Sequence, residues 1–243
     1  MKTVALRLVI CFWLAVSVGT IAAAQETADA VMLQAKQARD QGDVAALQTL
    51  IRNAQGEAGP TRSFDANLRI ASLNAWLVEA GLDHNNEKVV KQAAEDGIAA
   101  AERAVQLNAK SSEAHRLVGG LLGVLIPHVF AGGVRYGRHS TAEIEKAMQL
   151  DPQNANAYLA RGIAYFFTPK IFGGDKDKAV EMLKKAIAVA PASDVTEAAH
   201  IWLARVYQSL GKKADATSEI NEALRMNPDR LSAKVVQGEL SPK

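Results

Sequence analysis

The sequence predicts an all-α protein built as an array of antiparallel helix hairpins, with no sheet. Three observations lead there. Alanine occurs 44 times in 243 residues while aromatic residues make up only 5%. That balance favours helix, because Ala loses no side-chain entropy there and sheets draw on β-branched and aromatic residues. No segment alternates apolar and polar residues at period two as a half-buried strand would. Finally, four segments end alike: Ala104-Val-Gln-Leu-Asn-Ala109, Ala147-Met-Gln-Leu-Asp-Pro152, Ala186-Ile-Ala-Val-Ala-Pro191 and Ala223-Leu-Arg-Met-Asn-Pro228. Their leading alanines are 43, 39 and 37 residues apart, which suits one hairpin per interval.

Residues 1–24 read as a secretory signal. Lys2 and Arg7 supply the positive start, Leu8 to Val18 the apolar run, and Ala22-Ala23-Ala24 the small-residue cleavage site before Gln25. The expected location is therefore periplasmic or secreted, with no stable membrane insertion after cleavage. Cys11 lies inside the apolar run and leaves with it. The chain from Gln25 then has no cysteine and carries 26 basic against 26 acidic residues. Thiol chemistry, Cys-ligated zinc and disulfides are excluded for that chain, and the even charge argues against a basic nucleic-acid binder.

The organisation expected after the signal is a helical pair over 25–61, a repeat array over 62–230, and a capping helix with a tail over 231–243. Helices are expected at 26–41, 43–55, 62–80, 86–107, 112–126, 140–149, 154–167, 175–189, 194–210, 213–226 and 229–237. Asp43, Ser111, Ser140, Asp175 and Ser193 have N-cap character, and Ser140 with Glu143 has capping-box spacing. Gly56 to Thr61 reads as a hinge. Gly119, Gly162 and Ala204 are small residues where paired helices cross closely, with Tyr165 and Tyr207 filling volume one turn on. Ala179 and Ala216 are their partners in the second helices. Pro191 and Pro228 stop those helices, since Pro cannot continue one. Leu117 to Val134 contains one polar residue, His128, in 18 positions. Pro127 divides that run, so it reads as a buried repeat helix rather than a membrane span.

With the small, aromatic, Ala and Pro positions recurring in register, residues 63–230 resemble tetratricopeptide repeats, most specifically in the last two units. The resemblance implies a right-handed superhelix in which the first helix of each repeat lines a concave groove. The groove residues it implies are Arg116, Gly120, Leu159, Ile163, Phe166, Ile201, Arg205 and Gln208. Members that grip a terminal carboxylate use paired Lys and Asn on those faces, and with no Asn there that activity is not implied. The whole chain also resembles exported bacterial repeat proteins related to the T component associated with TRAP transporters.

No motif carries chemistry. Gly132-Gly-Val-Arg-Tyr-Gly-Arg-His139 approaches a phosphate-loop spacing but lacks the Lys and the hydroxyl residue, and follows no strand. His84, His115, His128, His139 and His200 form no HExxH or i, i+4 pair. His115 and His200 fall at equivalent repeat positions, which argues packing, and His128 and His139 could meet within one insertion. No GxSxG is present. The expectation is a protein without catalytic residues, cofactor or metal.

Two insertions share the pattern Pro-x-[Val/Ile]-Phe-x-Gly: Pro127 to Gly132 and Pro169 to Gly174. Both fall between the two helices of their repeats and so at one edge of a stacked array. Two readings are open. Phe130 and Phe172 bury together in one apolar cluster, or the loops form a lip presenting Arg135, Tyr136, Arg138 and Lys170 as anion or peptide contacts. The expected partner is a protein or peptide of the cell envelope, with a small ligand or a transporter component as the alternative; no nucleic acid is expected.

Overall fold

The computed structural model describes residues 29–59 and 62–241. The signal segment and its cleavage site lie outside the described residues, as do Pro60 and Thr61 of the expected hinge. The chain is all-α, and among the described residues there is no strand. Its helices are α1 (29–41), α2 (Val44–Glu57), α3 (Phe64–Asp83), α4 (Glu87–Leu107), α5 (Ser112–Leu125), α6 (Gly132–Leu150), α7 (Ala155–Phe167), α8 (Lys176–Val189), α9 (Asp194–Ser209), α10 (Lys213–Met226) and α11 (Leu231–Leu240).

Local chemistry sets the helix starts. Asp43, Ser63, Asn86, Ser111, Asn154, Asp175 and Ser193 each accept a backbone N–H of the first turn, satisfying donors that the helix itself leaves unpaired. Asn154 also donates to Ser112 Oγ at 2.8 Å, and Ser112 donates to Ala147 O at 2.8 Å. One cap thereby joins three helices of two successive hairpins.

Hairpins α3/α4, α5/α6, α7/α8 and α9/α10 stack in order as a solenoid. The first helices form an inner layer in which α3 meets α5, α5 meets α7, α7 meets α9 and α9 meets α11. The apolar core runs between the layers. The crossings of α5/α6, α7/α8 and α9/α10 repeat one device, a small residue on the inner helix facing an apolar one on the outer. A Cβ on Gly119 would lie 2.7 Å from both Ile144 Cγ1 and Ser140 O, and one on Gly162 would lie 2.8 Å from Leu183 Cγ. In the last hairpin Ala204 and Ile220 are both buried in the same relation. Gly97, Ser140, Ala179 and Ala216 are the small residues of the outer helices in the same register, and Ser140 donates to Gly119 O at 2.7 Å. Tyr207 is buried and Tyr165 half-buried. Pro191 and Pro228 stand just beyond the ends of α8 and α10.

Three expectations need correction. Helix α6 begins at Gly132 instead of residue 140, so Ser140 is a buried mid-helix residue and caps nothing. Of the glycines that suggested a loop, Gly132 serves a close approach: a Cβ there would stand 2.9 Å from Ile126 Cα. Ala131, with φ 54°, turns the chain into the helix. Second, Phe130 is 99% and Phe172 75% exposed, so the two rings do not anchor a buried cluster. Third, Ile201, expected on the groove, is buried in the core. The apolar run from Leu117 divides at a 3₁₀ turn over Ile126–His128. Leu117, Leu121, Leu122 and Leu125 are buried, whereas Val134 is exposed. No helix among the described residues is long and apolar enough to cross a membrane.

Neighbouring glycines on α5 should respond oppositely to the same change. Gly119→Ala forces a methyl against Ile144 and the Ser140 carbonyl and should cost about 1–3 kcal/mol. Nothing lies within 4 Å of a Cβ on Gly120, so Gly120→Ala should be neutral or stabilise by up to about 1 kcal/mol through helix propensity. Urea denaturation of both variants checks the register of the crossing.

Candidate functional site

On the inner layer, the cations expected to meet a ligand already have partners. Arg116 donates to Glu113, which also accepts from Asn154 at 3.3 Å. Arg205 Nη1 donates to Glu239 of α11 at 3.3 Å, with its guanidinium 5.7 Å from the Trp202 ring centre. Phe166 packs edge-on against Phe167 at 4.9 Å and Trp202 at 6.4 Å. Leu159 and Ile163 are half-buried, and Gln208 is exposed.

The last helix closes this layer. Arg230, the residue before α11, is 2% exposed. It donates to Asp40 of α1 at 2.9 Å and to Glu79 of α3. Its Nε lies 3.0 Å from Glu197 Oε1 of α9, near enough for attraction but not aligned as a hydrogen bond. Asn227 donates to Asp40 at 2.9 Å, Arg39 holds Asp40 from the adjoining position at 2.7 Å, and Lys36 reaches Asp194 at 3.2 Å. Helix α11 also packs on α3. The first and last helices are therefore joined around one buried guanidinium. Burial pushes Asp40 up, but Arg39, Asn227 and Lys36 outweigh it and hold the carboxyl at about 2. Burial raises Glu197, and Arg230 opposes it. Burial and then the neighbouring Glu79 raise Asp83 to about 6, against Arg230, Arg205 and His84.

The open concavity lies on the outer layer. Helices α4 and α6 flank α5 and leave a cleft of about 430 Å³. Ile98, Ala99, Leu122 and Leu125 form its floor; Glu95 and Glu102 stand on the α4 wall, and Arg135, Tyr136 and His139 on the α6 wall. Arg135 and His139, four residues apart, share one helix face. The Arg135 guanidinium lies 5.1 Å from the centre of the Tyr136 ring, which is half-buried against the core. His139 Nε2 is 3.3 Å from Glu143, whose other oxygen lies 2.5 Å from His115 Nδ1. Arg138 and Lys170 are exposed and sit outside this cleft.

The remaining histidines have structural partners. His200 Nδ1 is 2.6 Å from Glu219, repeating the His115–Glu143 arrangement two hairpins later. His128 turns to Glu87 at 3.2 Å while His139 turns to Glu143, so the two do not share an acidic partner. Among the described residues no group of three His, Cys, Asp or Glu could hold a metal ion. Sequence reasoning named Arg135 and Tyr136, but it missed the α4 wall and the cluster around Arg230. The cluster joins residues up to 190 positions apart, which no local pattern marks.

These features define an all-α solenoid of stacked antiparallel helix hairpins. Residues 198–230 match the tetratricopeptide repeat family. No curated protein sequence matches the chain. Among solved structures, TTC0263, a thermophilic TPR protein in Thermus thermophilus, is similar with a TM-score of 0.51 at 19% identity, over 80% of this chain and 98% of that one. MamA gives 0.42 at 18% identity over 80% and 94%; YrrB, described as a TPR protein with an unusual peptide-binding site, gives 0.45 at 13% over 82% and 94%. At this identity the likeness to TTC0263 establishes the fold.

Removing the central charge should loosen the closure. Arg230→Met leaves Asp40, Glu79 and Glu197 without their shared counterion and should cost about 3–5 kcal/mol, with a larger radius of gyration in X-ray scattering. An unchanged radius at full helicity would show that other contacts hold the ends together. Asp83 gives a pH test. Its folded value near 6 exceeds the ordinary 3.8, so the folded chain binds that proton more tightly. The resulting penalty is absent below about pH 4 and grows as pH rises through 6. Asp83→Asn should stabilise by about 1–3 kcal/mol at pH 7 and change little at pH 4, as read by denaturation at both values.

Proposed function

We propose that this chain is an exported, non-catalytic scaffold of the bacterial cell envelope that holds an extended segment of a partner protein. The observation that carries the reading is the α4–α6 cleft. Its floor is apolar, while its walls are acidic on α4 and basic with an aromatic ring on α6. Such a trough recognises a chain that offers an apolar side chain to the floor and polar groups to either side. Paired Arg116 and Arg205 make the inner layer the poorer candidate, because a ligand there must first displace Glu113 and Glu239. Export is supported by the charged start, the apolar run and the Ala22-Ala23-Ala24 site.

The cleft volume also falls in the range of small-molecule sites. This favours a second reading, a small-ligand accessory of a transporter, in keeping with the resemblance to the TRAP-associated T component.

Photo-crosslinking separates the two. A benzophenone residue in place of the exposed Ala99 should give a protein adduct of discrete mass in the intact envelope. Arg135→Glu should abolish that adduct while changing stability by no more than about 0.5 kcal/mol, as surface substitutions do. A small molecule recovered by native mass spectrometry without a protein adduct would favour the second reading. Retention of residues 1–24 in the purified chain would refute export with cleavage.

A further inference from the structure

Among the described residues, the edge at which the first helices turn into the second helices carries the largest exposed apolar side chains. Phe130 and Val134 stand at the α5–α6 turn, and Phe167, Ile171 and Phe172 at the α7–α8 turn. Ile171 is 84% exposed and Phe130 almost fully so. Since α5 packs beside α7, both turns emerge at the same end of adjacent hairpins. Soluble proteins seldom leave such side chains in water together unless they meet an apolar phase.

The tips are fixed projections. The α7–α8 turn is closed by Phe172 and Gly174 both donating backbone N–H groups to Pro169 O, at 2.8 and 3.1 Å, with Gly173 at φ 90°. The α5–α6 turn is closed by Gly132 N–H donating to Val129 O at 2.9 Å, with Ala131 left-handed. A protein interface centres its main contacts in packed pockets, whereas Phe130, Ile171 and Phe172 project 99%, 84% and 75% exposed.

Charge selects the phase. No Asp or Glu occurs from Ala114 to Ala142 or from Pro152 to Gly174. Arg138 lies one helical turn from Val134 and so on its face of α6, and Lys170 adjoins Ile171. Both cations are exposed, and among the described residues neither has an acidic partner. The acidic groups nearest in sequence are Glu143, held by His115 and His139; Asp175, occupied as the cap of α8; and Asp177, flanked by Lys176 and Lys178.

We propose that this edge is a peripheral membrane-binding surface. Phe130, Val134, Ile171 and Phe172 enter the headgroup–acyl boundary of an anionic bilayer, while Arg138 and Lys170 contact lipid phosphates. The surface is distinct from the α4–α6 cleft: Arg135 and His139 line the cleft, and Val134 and Arg138 do not. The membrane assignment does not depend on what the cleft holds.

The test places an environment-sensitive NBD label at Ile171→Cys and, as a control on the opposite edge, at exposed Gln153→Cys. Both are made in the full chain carrying Cys11→Ser, so that only the chosen site is labelled. With phosphatidylglycerol vesicles the label at 171 should shift to the blue and brighten several-fold, while the label at 153 should not. Phosphatidylcholine vesicles should leave both unchanged. Arg138→Gln with Lys170→Gln should weaken the response at 171 at least tenfold, from about fivefold per surface cation. Phe130→Ser with Phe172→Ser should abolish it at unchanged helicity. No response at 171, an equal response at 153, or indifference to lipid charge overturns the proposal. So does a response at 171 only when a protein partner is added, which would make the edge a protein interface.

Discussion

A single guanidinium holds the two ends of the array together. Arg230 sits among Asp40, Glu79 and Glu197, and its charge pairs three carboxylates from helices far apart in the chain, Asp40 and Glu197 buried and Glu79 partly exposed. Ions in such a place are costly to desolvate, and the pairing restores that cost only when each oxygen and each N–H finds a partner. Here the cluster is nearly complete: Arg39, Asn227 and Lys36 complete the shell of Asp40, while Glu197 remains misaligned with Arg230 Nε. The position of α11, and with it the pairing of Arg205 with Glu239, follows from this join.

Between the joined ends, the hairpins obey a simpler rule. The last three crossings each set a residue with little or no side chain against a branched one, and a polar pair repeats beside it where the register allows. His115 with Glu143 and His200 with Glu219 occupy corresponding positions of the second and fourth hairpins, while Tyr158 takes the place of His in the third. Imidazoles that look like candidate ligands in isolation thus become interhelical ties. The same logic explains why Ser140 is tolerated in the core: its hydroxyl reaches Gly119 O, the carbonyl beside which no side chain fits.

Most of the fold was legible because it is written locally. Caps at Asp43, Ser111, Asp175 and Ser193, stops at Pro191 and Pro228, and small residues at Gly119 and Gly162 each act within a turn or across one hairpin. The reading failed where a residue type served a less common end. Gly132, Gly133 and Gly137 read as loop yet sit in α6, and the first of them is needed for approach to the Ile126 backbone. Phe130 and Phe172 read as anchors because large aromatics are usually buried, and here they project. Of the candidate site, Arg135 and Tyr136 were visible as basic and aromatic neighbours in an unusual insertion. The wall formed by Glu95 and Glu102 was not, since spaced glutamates on a helix resemble any solvated face.

The join at Arg230 also changes how such an array should behave as a polymer. In an open solenoid each unit touches only its neighbours, so terminal hairpins fray first and units can be gained or lost with small effect. With α3 resting on α11 there is no terminal hairpin to fray. Opening any one hairpin strains the contact between the ends, which couples distant units into one cooperative transition. Duplicating or deleting a hairpin would carry Asp40 and Glu79 away from Arg230. The closure therefore ties the number of hairpins to the contact between the ends, while the turns and outer faces, where the exposed tips and the cleft lie, take no part in it.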